Sequence, residues 1–177
     1  MVRARYKNDP EDYAAFMRFT AYKVNRKLSK AYVFLAAALA MGIVAVLTAN
    51  AVFIVFAAVF LAFGILLSAL NVAAVKKSVA KTLKEYGNMR AVENVYTFGE
   101  EAFSVETKVK GKVKESEVNY AALRRAAENK GFVYLYVNNS LAFLVKKDGI
   151  EEGSAAELKD KLLSALGKKN CKFKREK

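Results

Sequence analysis

The most prominent feature of the sequence is an uninterrupted apolar run in its first half. Residues 31–75 form a stretch of 45 positions without a single Asp, Glu, Lys or Arg. A single helix of this length would be about 68 Å long, more than twice the ~30 Å hydrocarbon core of a bilayer. The run therefore predicts two membrane-spanning helices, at about Tyr32–Leu47 and Val52–Val72, joined by a tight turn at Thr48–Asn50.

A signal peptide and a soluble helical hairpin both fit this run less well than a pair of membrane spans. A signal peptide has its apolar stretch near the N-terminus, whereas here 30 residues that include Asp9, Glu11 and Asp12 come first. A buried helical hairpin of a soluble protein would have polar faces, and this run shows none. Because no ionisable residue lies within it, we do not expect a channel or a pump.

Small residues are spaced four apart in the predicted spans. This spacing allows helix backbones to approach closely and permits homo-oligomers through the membrane, although alanine also simply fills helical positions. The pairs are Ala38 and Gly42, Ala45 and Ala49, and Ala58 and Ala62.

A change to strand periodicity predicts a sheet in the second half of the chain, and two nearly continuous apolar runs on either side of Asn138–Ser140 predict a central hairpin within it. A further strand at Val2–Tyr6 is distant in sequence, and we expect it to join the same sheet because it has no partner of its own. Residues 119–128 fit a short helix or an irregular segment. The predicted strands are Val95–Phe98, Ala102–Val109, Lys112–Val118, Phe132–Val137 and Leu141–Lys146.

Capping signals predict three more helical segments. Asp9 and Pro10 begin the first of these segments. Residues 74–86 continue the second span as a basic helix that stops at Gly87-Asn88, and Ser154 begins the last, Ala155–Leu166.

The fold class is thus a membrane α-helical hairpin with two transmembrane helices, plus a small α+β domain. That domain is an antiparallel open barrel or roll capped by the C-terminal helix. The divisions are an N-terminal strand and amphipathic helix (1–30), the hairpin (31–75), a basic connecting helix (76–90), the α+β domain (91–167) and a basic tail (168–177).

The net charge of +13 is concentrated beside the apolar run and at the C-terminus. Residues 1–30 carry a net +5, residues 76–90 carry +4 and the tail carries +5, whereas residues 91–167 carry only −1. The positive-inside rule then predicts a multi-pass protein of the cell membrane, with both termini cytoplasmic and the Thr48–Asn50 turn outside. Since topology explains most of the excess charge, we expect the lipid bilayer and no nucleic acid as a partner. The cations expected to contact the membrane surface are Arg26, Lys27, Lys30, Lys76 and Lys77.

The residue inventory argues against an enzyme. The chain has no His, one Cys and no Gly-rich phosphate loop, so the usual general base and nucleophile–base pairs are missing. We assign no catalytic residue, no cofactor and no metal site.

The tail around Cys171 is expected to be a solvated, disordered end. Membrane contact by the tail and acylation of Cys171 are the alternatives.

One cationic cluster remains as a candidate site. Lys108, Lys110, Lys112 and Lys114 surround Gly111 at a predicted hairpin tip, and alternation places the lysines of each arm on one face with Val109 and Val113 opposite. Such a tip is a candidate binding site for anionic lipid head groups. The alternative is an edge hairpin that lysines keep soluble.

The order of these segments, over nearly the whole chain, resembles that of the YcxB-like family of small bacterial membrane proteins. The resemblance implies a C-terminal domain similar to a pleckstrin-homology fold, and it implies no established activity. Two positions depart from the family pattern: Tyr120, where Trp is common, and Lys146–Gly149, where a Pro-Lys-Arg turn is common. The segments that carry the resemblance are Glu11-Asp12-Tyr13-x-x-Phe16, the apolar hairpin, Tyr96-x-Phe98-Gly99-Glu100-Glu101-Ala102-Phe103, Tyr120-Ala121-Ala122-Leu123, Phe132–Leu144 and the last helix.

These features lead to one functional expectation and two alternatives. The first is a non-catalytic scaffold or regulatory module, in which the sheet and last helix of the cytoplasmic domain contact a protein partner that the sequence does not identify. The second is a sensor of anionic lipid head groups through the Lys108–Lys114 tip. The third is an accessory subunit of a membrane transport or export complex, which would use the helical hairpin as its contact surface.

Overall fold

A computed structural model describes residues 1–85 and 92–173 of the chain. The helix stop predicted at Gly87-Asn88 and the last four residues of the tail lie outside these ranges. The chain divides into two compact units. One contains Met1–Phe16 and the C-terminal half of the chain, and the other contains Met17–Glu85.

The helical unit is built on two long apolar helices, as the sequence predicts. Helix α1 (Pro10–Phe19) passes into a π-helical segment, Thr20–Val24. Helix α2 (Ser29–Thr48) is 20 residues long and α3 (Ala51–Glu85) is 35. Because α3 is continuous, the second predicted span and the basic segment after it form one helix of about 52 Å.

The turn between α2 and α3 lies where the sequence predicts it. Ala49 ends α2 in the left-handed conformation, with φ of 50°. The Asn50 side chain then accepts a hydrogen bond from the Val52 amide at 3.0 Å, which satisfies one free donor at the start of α3.

Small residues allow α2 and α3 to pack closely. Only some of the small residues that the sequence predicted for this contact lie at it. Ala31, Ala38 and Ala45 recur every seven residues on α2, and all three are buried. On α3 the close approach is at Gly64, where an added Cβ would lie 2.8 Å from Leu35 Cδ2. The predicted pair Ala58 and Ala62 is exposed, because the face of α3 turned toward α2 carries Phe60 and Phe63, whose rings contact Phe34.

The second unit contains two sheets. The first has five antiparallel strands in the order β4-β3-β2-β1-β8. The prediction that Val2–Tyr6 joins the sheet is confirmed, since β1 lies between β2 and β8 with Val2 and Ala4 fully buried. The strands are β1 (Val2–Lys7), β2 (Val92–Phe98), β3 (Ala102–Val109), β4 (Lys112–Asn119) and, later in the chain, β8 (Ile150–Glu152).

The other sheet has the order β7-β6-β5-β9, with β9 parallel to β5. Helix α4 (Ala155–Leu166) follows β8, and the Ser154 hydroxyl accepts the Glu157 amide at 3.1 Å, as the predicted cap requires. Leu158 and Leu162 of α4 are fully buried. The strands are β5 (Arg125–Asn129), β6 (Phe132–Tyr136), β7 (Ala142–Lys146) and β9 (Cys171–Lys172).

Two sequence predictions for this unit are wrong. Within residues 119–128 only Tyr120–Ala122 forms a 3₁₀ turn, and β5 begins at Arg125. Its residues have weak strand propensity, but Ala126 and Ala127 are fully buried, so packing overrides local preference. The described part of the tail is also ordered, because Cys171 and Lys172 pair with Ala126 and Ala127.

Aromatic side chains fill the interior of this unit. Phe16 of α1 lies 5.2 Å from Tyr134 between ring centroids, and Tyr6 of β1 lies 5.7 Å from Phe132. These contacts join the N-terminal segment to strand β6, which is buried along its whole length. The structure therefore confirms two long apolar helices followed by a sheet-rich region with a C-terminal helix.

Candidate functional site

The lysine cluster lies at the end of the β3–β4 hairpin. A two-residue turn of Lys110 and Gly111 joins the strands, with φ of 48° and 80°. Positive φ at both positions is what a type I′ turn requires, and this turn matches the natural twist of a hairpin.

The strand register distributes the four lysines around the tip. Lys108 pairs with Val113, and Lys112 pairs with Val109. Since directly paired residues share a face, Lys108 and Val113 lie on one face, while Lys112 and Val109 lie on the other. Lys114 shares the second face, because it is two residues from Lys112. The alternation predicted within each arm is therefore confirmed, but the two arms are out of phase, so each face of the hairpin carries a valine as well as lysine.

This tip is exposed and cationic. Residues 109–117 are all exposed, including Val109 at 39% and Val113 at 60%. The segment from Thr107 to Lys114 contains no acidic residue. Among residues 1–85 and 92–173, no ion pair joins these four lysines to a carboxylate. The tip can therefore bind an anionic surface without first breaking an internal ion pair.

The cations predicted at the membrane surface are also exposed. Arg26 and Lys27 lie in the turn before α2, and Lys30 lies in its first helical turn. Lys76 and Lys77 lie within α3. All five belong to the helical unit, and contact of these side chains with lipid stays a prediction.

These five cations lie at the end of the helical hairpin remote from its turn. Gly64 of α3 packs on Leu35 of α2, which fixes the alignment of the two antiparallel helices. Along the axes, Lys30 is about 8 Å from Leu35 and Lys76 is about 18 Å from Gly64. The cations of α3 therefore lie about 10 Å farther from the turn than those of α2.

Polar side chains in the predicted spans are satisfied within their own helices. The Ser68 hydroxyl donates to the Gly64 carbonyl at 2.8 Å, and the Asn71 amide donates to the Leu67 carbonyl at 2.8 Å. Such bonds to the carbonyl four residues earlier keep polar groups paired in apolar surroundings.

A buried ion cluster at Glu128 was missed by sequence reasoning. The Glu128 side chain on β5 is only 4% exposed, and it forms ion pairs with Lys147 and Lys159. The Lys159 Nζ lies 3.0 Å from Glu128 Oε1 and comes from α4. The cluster therefore links the last helix to the sheet. The sole local sequence signal was a carboxylate in a short segment of small residues.

The departure from the family pattern at Lys146–Gly149 has a structural reason. Lys146 pairs with Asp12 at 3.5 Å, and Lys147 pairs with Glu128. At Gly149 an added Cβ would lie 2.0 Å from the Arg5 carbonyl oxygen, so β8 can approach β1 only with glycine there. The segment holds elements of the domain together.

Tyr120, the other departure, is a core residue. Its ring is buried 5.8 Å from the Phe103 ring, and its hydroxyl donates to the Gly99 carbonyl at 3.1 Å. Lys161 of α4 donates to the same carbonyl at 3.1 Å. Burial raises the pKa of the Tyr120 hydroxyl above its usual range, which keeps it a neutral donor.

Cys171, the one thiol of the chain, is half-buried on β9. Its Sγ donates to the Leu162 carbonyl at 3.5 Å, and burial raises the pKa of the thiol. A raised pKa lowers the thiolate fraction and hence the reactivity of the sulfur. Acylation of Cys171 stays a prediction, and this environment does not activate the thiol for it.

Comparison with known proteins gives a single result. Residues 98–162 match the family model described as YcxB-like protein. The resemblance expected from the sequence is therefore confirmed over this segment, which runs from the end of β2 into α4. No curated protein and no solved structure matches the chain.

Proposed function

We propose that this chain is a non-catalytic membrane protein that displays its YcxB-like unit in the cytoplasm as a protein-interaction module. The observation that carries the proposal is the apolar surface of α2 and α3. Only 17% and 6% of the positions in their most apolar windows are buried. A core helix of a soluble protein would be mostly buried, whereas these helices expose side chains such as Val46 and Leu47 at 83% and 80%.

The orientation that we propose follows from charge. The cations Arg26, Lys27, Lys30, Lys76 and Lys77 lie at one end of the hairpin, and positive residues favour the cytoplasmic side. The turn at Ala49 would then be outside and both termini cytoplasmic.

A pleckstrin-homology-like fold for the second unit is part of the proposal. Two mainly antiparallel sheets with a C-terminal helix agree with what the family resemblance implies. The unit has its own features as well, because β1 comes from before the helical hairpin and β9 is parallel to its neighbour.

The edge strand β4 is the surface that we propose for partner binding. It ends the five-stranded sheet, and seven of its eight residues are exposed. An open edge presents unpaired backbone groups to which a partner can add a strand. The charged residues Lys112, Lys114, Glu115 and Glu117 would restrict pairing to partners of complementary charge.

Membrane insertion and orientation can be tested on the full chain. We expect the protein to resist alkaline carbonate extraction. We also expect Cys171 to react with a membrane-impermeant maleimide only after cells are permeabilised. Because burial slows this thiol, the permeabilised sample is also labelled after denaturation to establish the maximum signal. Extraction by carbonate would refute membrane anchoring, and labelling of intact cells would refute the orientation.

Partner binding at β4 can be tested by photo-crosslinking in cells. A photoreactive amino acid is placed at Ser116 on β4 and, as a matched control, at Ser140 in the β6–β7 turn; both serines are exposed. We expect a discrete crosslinked species from the Ser116 position only. Equal products from both positions, or none, would refute β4 as the contact surface.

A second candidate function uses the exposed face of α3. Ala58 and Ala62 are four residues apart and both are exposed, so another helix can pack on them. This face supports a homo-oligomer or a role as an accessory subunit of a membrane complex. Replacing both residues with Leu should dissociate such a complex in detergent. Unchanged size would exclude this role.

A further inference from the structure

The β3–β4 tip combines a cationic ring with two exposed apolar side chains. Val109 and Val113 lie on opposite faces of the hairpin, and both are exposed, at 39% and 60%. Four lysines at alternate positions surround them, with one at the turn itself. Keeping an edge hairpin soluble explains the lysines but not the exposed valines.

We propose that this tip docks on the anionic leaflet of the membrane that carries the chain. The valines enter the interfacial layer, and the lysines contact the lipid phosphates. This inference rests on the proposed membrane anchoring, and it assigns the Lys108–Lys114 tip a partner of defined chemistry.

Charge complementarity supports this occupant. Each lysine near an anionic leaflet gains favourable electrostatic energy, which salt screens. Within the hairpin, the nearest acidic residues, Glu106 and Glu115, pair with each other on the body side of the tip. Glu93 of β2 lies beside Lys108, also on the body side. Negative charge is therefore kept away from the outermost residues.

The turn chemistry also places a cation at the extreme end. Lys110 has φ of 48°, a conformation for which Asn, Asp and Gly are preferred in such turns. A long ammonium side chain thus occupies the outermost position of a short turn. Since the chain's own helices would hold the domain near a bilayer, a weak contact becomes effective through high local concentration.

The absence of Trp from the chain permits a direct test. The full-length Val113→Trp variant is reconstituted in nanodiscs of phosphatidylcholine, with or without phosphatidylserine. We expect its emission to shift to the blue, and brominated lipids to quench it, only when phosphatidylserine is present. The matched control is Leu141→Trp in the β6–β7 turn, because Leu141 is 58% exposed against 60% for Val113. Its emission should be the same in both kinds of disc.

The charge dependence is tested in the Val113→Trp background. Replacing Lys108, Lys110, Lys112 and Lys114 with Gln should abolish the shift, as should high salt, while circular dichroism remains unchanged. The proposal is overturned if the emission is identical in both discs, if Leu141→Trp shifts equally, or if the shift survives loss of the lysines. A shift that appears only after cytosolic protein is added would identify a protein partner and overturn it too. Failure of the chain to insert into nanodiscs would instead count against the proposed membrane anchoring.

Discussion

Glu128 shows how one buried charge can fix an element in place. Its carboxylate lies between lysines from α4 and from the turn after β7. Removing one partner of a buried ion cluster leaves the other charges uncompensated, so Glu128→Gln should lower the free energy of unfolding by about 3 kcal/mol. Denaturant unfolding of the purified protein measures this loss.

A more exposed ion pair provides the control for Glu128. Asp12 pairs with Lys146, and their side chains are 24% and 41% exposed. Asp12→Asn should therefore cost about 1 kcal/mol or less. Equal losses for the two variants would contradict the role assigned to Glu128.

Four buried tyrosines should make the folded state sensitive to alkali. Burial raises the pKa values of Tyr6, Tyr96, Tyr120 and Tyr134 above the usual value of about 10. Because the folded state holds these protons more tightly, this stability is fully present below pH of about 10 and is lost as pH rises through the folded-state pKa values. With nine Tyr and no Trp, tyrosinate absorbance reports the titration.

The tyrosinate absorbance is followed against pH for the folded protein and for the protein in denaturant. We expect part of the absorbance change of the folded protein to be delayed to higher pH. Coincident titration curves would show that these hydroxyls are not protected.

At the level of elements, the crossing of α2 and α3 depends on the absence of a side chain at Gly64. An added Cβ there would lie 2.8 Å from Leu35 Cδ2 and 3.3 Å from the Leu35 amide nitrogen. Gly64→Ala should therefore destabilise the helical hairpin by about 1–2 kcal/mol through overpacking. Thermal unfolding in detergent, followed by circular dichroism, measures the effect.

Gly42 on α2 is the matched position. A Cβ there would meet no atom within 4 Å, so Gly42→Ala should be neutral or stabilise the helix by up to about 1 kcal/mol. Effects of the same sign and size at both glycines would contradict the packing described for α2 and α3.

At the level of the whole molecule, the sheet unit is assembled from both ends of the sequence. The family match covers residues 98–162, yet β1 lies between β2 and β8 and is buried on one face. Removal of a central strand leaves two new edges and an uncovered core. We therefore expect residues 86–177 to be unfolded when expressed alone.

Restoring the missing segment should restore folding. Residues 1–16 joined by a long flexible linker to 86–177 should give dispersed amide resonances and cooperative unfolding. A fragment 86–177 that folds without β1 would contradict the role of this strand.

The sequence by itself determined the elements that a pattern within their own residues predicts. A stretch without charge predicted α2 and α3, Ser154 predicted the start of α4, alternation predicted β3, and two nearly continuous apolar runs predicted β6 and β7. Each of these signals lies within the element itself, so it can be read without knowledge of the neighbours.

The tertiary structure decided what depends on partners distant in sequence. Strand β5 exists because its alanines are buried between β6 and β9, and Glu128 is an ion-cluster residue because α4 brings Lys159 to it. The same is true of the candidate site. The sequence identified its four lysines, but the pairing of Lys108 with Val113 determined which face each one occupies. Pairing register and burial arise from the whole fold, and for that reason no local pattern reports them.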